Sequence, residues 1–254
     1  MSYYHHPDVG GLKVIADNWW RERRLIPYQS FRTNTPHDAR ALARLVSTSC
    51  WAVQDPYSET VRRFCKGYRK AQALDLRRMR DSEIEKVLGF LFGDIDDLFF
   101  FSMLNSKPDG LHHLTSFEVT DKGFEGSKGV CTWEDGKRPV ITIWRAGEHR
   151  THRTFEQLLH TFIHESVHVF LGLFSDNRHP RHQEWLTIES YHGEMFWVLL
   201  GFIMGRVKVI TKSERWQKEV DDRNRDRLAM VRAWDKHESW GTPEKTLMGG
   251  VLKP

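Results

Sequence analysis

Thr154-Phe155-Glu156-Gln157-Leu158-Leu159-His160-Thr161-Phe162-Ile163-His164-Glu165-Ser166-Val167-His168-Val169-Phe170-Leu171-Gly172-Leu173-Phe174 places apolar side chains at steps of three and four, from Phe155 through Leu158, Leu159, Phe162, Ile163, Val167 and Phe170. That spacing is the broad face of an α-helix, and its apolar density predicts a helix buried deep in a core. A polar group inside such a helix needs a partner or a function, because uncompensated desolvation is costly. The polar residues here are His164, Glu165 and His168. One helical turn separates the two histidines, so both imidazoles project the same way and can share one zinc ion. Glu165 stands beside them, placed to take a proton from a water held by that metal.

A zinc site that works on a substrate uses three protein ligands and keeps one position open. His192 follows His168 by 24 positions and opens a second apolar helix, Met195 to Met204. Glu189, 21 positions after His168, and Glu184 are the carboxylate alternatives. A metzincin arrangement fails, since Leu171 and Phe174 stand where its glycine and third histidine are required. His160, one turn before His164, is better read as a packing or cleft-lining residue than as a fourth ligand. His149, His152, His179 and His182 fall in flanking loops. Tyr191, next to His192, is a candidate stabiliser of developing negative charge in a transition state.

Outward from this stretch the chain changes period. Thr35-Pro36 predicts a helix start and a helix to about Val53; a second helix runs from Ser58 to about Leu74. Ser82 and Glu85 have capping-box spacing for a third helix that continues to Leu104. Thr115–Thr120, a glycine-punctuated hairpin ending at Val130–Trp133, and Pro139–Trp144 read as strands. Ser213 to Trp240 reads as one charged helix lying against the domain. The order is helices, a small antiparallel sheet, then helices, which is an α+β fold. Three regions follow: a helical 1–83, a central 84–210, and a charged helix and tail over 211–254.

Composition excludes several classes. With 254 residues, 39% apolar, 15 Phe and 10 Trp, the chain can bury a core and is not low-complexity. Three separated cysteines (Cys50, Cys65 and Cys131) without a CxxC provide neither a disulfide scaffold nor a cysteine ribbon. Met1 to Asp8 lacks the apolar core of a secretory signal, and the longest apolar run is about half a membrane span. The expectation is a soluble intracellular protein of nucleus or cytoplasm with no membrane partner. A net charge of +4 names no partner. Eight basic residues between Arg62 and Arg80, interleaved with aromatics, could contact nucleic-acid phosphates, although a solvated helix face is the plainer reading.

The two histidine motifs together resemble those of the SprT-like zinc metalloproteases, which include the Spartan-type proteases of DNA–protein crosslinks. Phe155 to Leu173 resembles that family's active-site helix, and His192-Gly193-Glu194-Met195-Phe196 resembles its third-ligand segment. Asp97-Leu98-Phe99-Phe100 with Leu104 is similar to its opening helix; Gly129–Trp133 with Val140–Ile143 is similar to its hairpin and edge strand. The resemblance spans about Ile84 to Val209, half the chain. It implies a zincin-like SprT domain with one zinc on His164, His168 and His192, favouring His192 over Glu189, and Glu165 as general base. It also implies an endopeptidase whose polypeptide substrate pairs with an edge strand at Val140, Ile141, Thr142 and Ile143. Bacterial-type members end in a cysteine zinc ribbon, and no cysteine follows Cys131 here, so DNA binding through such a ribbon does not carry over. The competing reading is a zinc-binding adaptor module with weak or no proteolysis.

Overall fold

The computed structural model describes residues 38–49, 55, 57–105, 115–121, 127–133, 138–147, 151–175, 178–182, 184 and 192–237. Its elements in chain order are α1 (Ala39–Ser49), α2 (Glu59–Gln72), a short 3-10 turn (Leu76–Arg78) and α3 (Asp81–Phe99). Then come β1 (Ser116–Thr120), β2 (Gly129–Thr132), β3 (Val140–Trp144), α4 (Phe155–Phe174), α5 (Glu194–Thr211), α6 (Glu214–Asp222) and α7 (Asn224–Asp235). The α+β class is as expected, with helix predominating.

The first four helix starts have a local cause. Asp38 Oδ1 accepts from the Ala41 N–H at 2.5 Å, and Ser58 caps α2 through the Val61 N–H at 3.2 Å. Thr35 and Pro36 lie outside the described residues. At α3 the reciprocal partner is Glu83, which accepts the Arg80 N–H at 2.8 Å. The helix thus opens one residue before Ser82, and Asp81 is held by Arg145 at 2.8 Å. Thr154 and Gln157 exchange both capping bonds at the head of α4, at 3.1 and 3.2 Å.

α3 stops at Phe99 rather than reaching Leu104. Phe101 and Ser102 take left-handed backbone, with φ of 57° and 55°. The buried carboxylate of Asp96 accepts the N–H groups of Leu104 and Asn105 at 3.0 and 2.7 Å, which ties the turn down. Burial pushes the Asp96 pKa up to about 8.

The sheet corrects two expectations. Its strand order is β1-β3-β2, with β1 parallel to β3 (Ser116 opposite Val140) and β2 antiparallel to it (Cys131 opposite Ile141). It is therefore mixed, not antiparallel. Val140–Ile143 belong to the central strand: β1 and β2 occupy its two sides, so it has no open edge to offer a substrate. Ile141 and Ile143 are fully buried, as a central strand requires. Among the described residues, β2 pairs only with β3, and its other edge faces α4 at Gly129 and Thr161.

The C-terminal stretch also differs from one helix. The chain breaks at Arg223 (φ −92°, ψ 57°) into α6 and α7. Both pack into the core: Trp216 is fully buried and its indole N–H donates to the Met204 carbonyl at 3.2 Å. One continuous core runs from Ala39 to Trp234 and crosses the boundaries drawn at 83/84 and 210/211. No helix among the described residues is long and apolar enough to cross a membrane.

Candidate metal centre

α4 occupies the middle of the molecule, with α5 on one side and the sheet on the other. Phe162 meets Phe92 and Phe117 edge-on, with ring centroids 5.1 Å away in each case, locking the sheet-facing side of α4. The opposite stripe, one turn long, carries His164 and His168. His192 precedes Gly193, the N-cap residue of α5, so the start of α5 aims its imidazole at α4. The ligand atoms of His164, His168 and His192 all lie within 4.8 Å of one another, and the Nε2 atoms of His164 and His192 are 2.9 Å apart.

Phe196, one turn into α5 and fully buried, forms the floor of this triad. Its ring stacks on His168 at 4.3 Å and lies 4.8 and 4.7 Å from His164 and His192. Aromatic packing thus fixes the rotamers that converge the three rings. Glu194, beside His192 in sequence, turns away to Lys236 at 3.2 Å.

The donor set fits a metal ion. Tetrahedral nitrogen ligands at ~2.0–2.1 Å from zinc stand about 3.3 Å from one another, a distance bracketed by the 2.9 Å between His164 and His192 and the 4.8 Å within which all three donors lie. Burial, reinforced by the neighbouring imidazoles, holds His164 well below its usual pKa and His168 at about 3. Burial lowers His192 too. The rings are therefore neutral at pH 7, as metal coordination requires.

Glu165 is buried against β2. The Cys131 N–H donates to its carboxylate, and burial, the larger effect, pushes its pKa up to about 8. The closeness depends on Gly129: a Cβ there would stand 2.7 Å from Thr161 Cγ2 and 3.3 Å from Glu165 Oε1. Cys131 also lines the cleft, but burial first and Glu165 second push its thiol up to about 12, so it stays protonated.

The triad and Glu165 open into a cleft of about 810 Å³, bounded by β2, α4, His182 and the α6–α7 break. His160 is not a ligand. It is wholly buried, with its ring 6.3 Å from Trp216. Glu184 is engaged elsewhere, since both its oxygens accept from Arg181, at 2.6 and 2.7 Å. His179 Nδ1 accepts from the Arg181 N–H. Tyr191 and Glu189 lie outside the described residues, as does His149. Val140–Ile143 stand behind β2, one strand removed from the cleft. The sequence reading did not single out Phe196, Gly129 or Arg223 as site residues. Gly129 and Phe196 lie inside quoted motifs, whereas Arg223 carries no local signal.

No protein-family model matches this chain, and no characterised protein or solved structure matches it either.

Proposed function

We propose that this protein is a zinc-dependent endopeptidase of the SprT-like kind. The observation that carries the reading is the convergence of His164, His168 and His192 with a buried Glu165 beside them in one open cleft. His164, His168 and His192 would hold the zinc ion, which when bound would supply Lewis-acid activation of a water. Glu165 does the proton work. Burial alone would leave Glu165 protonated at pH 7, and a cation on the three imidazoles would favour its ionised form; the carboxylate would then take a proton from water as that oxygen bonds the scissile carbonyl carbon, and deliver it to the amine nitrogen as the C–N bond breaks. The Cys131 N–H holds that carboxylate in place between the two transfers.

The substrate-pairing edge is β2. Lys128 directs its carbonyl inward to the Trp144 N–H at 3.1 Å, and the Cys131 N–H points the other way, to Glu165. By strand alternation the Gly129 N–H and the Cys131 carbonyl face the cleft, where an extended polypeptide would add as a further strand, while the Cys131 N–H is held by Glu165 and the Gly129 carbonyl accepts from the Ser127 hydroxyl at 2.7 Å. Such pairing reads backbone rather than side chains, which suits unfolded or varied protein substrates.

The test is metal content and cleavage measured together. Wild-type protein should carry about one zinc per chain and cleave an unfolded protein. Glu165→Gln should keep the zinc and lose cleavage by at least about 10³-fold. Zinc retention with no cleavage by the wild type, with and without single-stranded DNA, would favour the adaptor reading. Cleavage surviving in the Glu165→Gln protein would sink the mechanism.

A further inference from the structure

The cleft is asymmetric along its length. β2 runs beside α4 in the same sense: Gly129 lies against Thr161, Cys131 against Glu165, and the Trp133 ring against Gly172. Beyond His168 the walls are apolar, formed by Trp133, Leu171 and Gly172. The opposite end is formed by Ser127 and Lys128 and, at the α6–α7 break, by Arg223 and Asp226.

Arg223 is incompletely used. Its side chain is 11% exposed, Nε donates to Glu219 at 2.6 Å, and Nη1 stands 3.9 Å from Asp226. Nη2 is buried and has no hydrogen-bond partner among the described residues. A buried guanidinium N–H left unpaired is costly, so its retention at a cleft wall needs a reason. Lys128 beside it is exposed and makes no ion pair among the described residues; the loss of hydration at its ammonium first, then Arg223, lowers its pKa. Arg153 lies behind them, its guanidinium donating to the Ser127 and Lys128 carbonyls. Three cations thus face two anions, Glu219 and Asp226, leaving one uncompensated positive charge.

We propose that Arg223 and Lys128 form a carboxylate-binding subsite at the Gly129 end of the cleft, which selects peptides carrying an acidic group on the C-terminal side of the scissile bond. The inference rests on the peptidase reading above. A strand added antiparallel to β2, the more stable pairing, runs from Trp133 toward Gly129. Its C-terminal side therefore meets Lys128 and Arg223. Lys128 is three residues from Cys131, about 10 Å along a strand, which places the carboxylate two or three residues beyond the cleaved bond. The guanidinium fork suits a planar carboxylate, with Lys128 adding charge.

Three peptides sharing one core test this. One carries Glu at the second or third position after the cleaved bond and a C-terminal amide. Another ends there in a free carboxylate without acidic side chains, and the last is neutral and amidated. kcat/KM is measured with the zinc-loaded wild type, and dissociation constants with the Glu165→Gln protein. At least one acidic peptide should be favoured about tenfold or more over the neutral one, and comparing the two acidic peptides separates side chain from terminus. Arg223→Gln should erase the preference, bringing the ratio of acidic to neutral kcat/KM to about one. Lys128→Gln, which breaks no ion pair, should reduce it severalfold and keeps the test valid if Arg223→Gln fails to fold. Equal handling of all three peptides by the wild type overturns the subsite. So does an equal loss for all three in Arg223→Gln, or an Arg223-dependent affinity for single-stranded oligonucleotide without any peptide preference. Arg223-dependent binding of acidic peptides without cleavage would support the subsite and reject the peptidase; cleavage without preference does the reverse.

Discussion

Gly129 meets Thr161 across the β2–α4 interface with no room for a side chain between them: a Cβ on Gly129 would stand 2.7 Å from Thr161 Cγ2 and 3.0 Å from the Thr142 carbonyl oxygen. Thr161 cannot rotate freely out of the way, because its hydroxyl donates to the Gln157 carbonyl at 2.9 Å. Gly129→Ala should therefore push β2 off α4, at a cost of about 1–3 kcal/mol. Because Glu165 is held by the next-but-one residue of β2, activity should fall further than stability. Urea unfolding and peptide cleavage read the two effects. Thr161→Ser removes the nearest atom and should restore part of the stability of Gly129→Ala; no restoration would show that the Thr142 carbonyl sets the limit.

Phe196 touches all three metal-ligand candidates, and it does so without a hydrogen bond. Replacing it by Leu keeps the donors but removes the flat surface on which His168 stacks at 4.3 Å. The expected outcome is a folded protein whose zinc affinity falls about 10–100-fold, the size seen when groups orienting metal ligands are removed. His192→Ala, which deletes a donor, should fall further. Competition with a chromogenic chelator measures both. A Phe196→Leu protein with unchanged affinity would mean that α5 alone fixes His192.

The sequence made α4 and its histidines legible because helical periodicity and a one-turn ligand spacing are local signals. The same holds for His192, which sits at the visible start of an apolar segment. Sheet order is different: β1 joins β3 in parallel across the whole of β2, and nothing local to Val140–Ile143 says which neighbours it will take. The ends of α3 and α6 were hidden for another reason. Helices usually stop at Gly or Pro, but here Phe101, Ser102 and Arg223 do the turning. Side-chain bonds reaching four to nine residues along the chain hold those turns, from Leu104 and Asn105 to Asp96 and from Arg223 to Glu219, and no spacing rule of helix ends marks them. Arg223 reaches the cleft only because of that break, so a reading of 213–240 as one helix could not place it there.

His160 offers a stability test that is independent of zinc chemistry. Its ring is wholly buried, both nitrogens lack hydrogen-bond partners, and burial, aided by Arg223, holds its pKa well below 6.5. In the unfolded chain the same imidazole takes a proton near pH 6.5. At pH 5.5 the unfolded state therefore binds a proton that the folded state refuses, so folding stability is lost as pH falls below 6.5 and is retained above it. For one such group the loss between pH 7.5 and 5.5 is about 1.4 kcal/mol. His160→Leu, close in volume and free of ring nitrogens, should remove that share of the acid sensitivity. His164, His168 and His192 contribute equally to both proteins when zinc is stripped by chelation, so the difference isolates His160. Urea midpoints at the two pH values supply the measurement. Equal acid losses in the two chelated proteins would mean that His160 becomes protonated in the folded state, with a partner that compensates its burial.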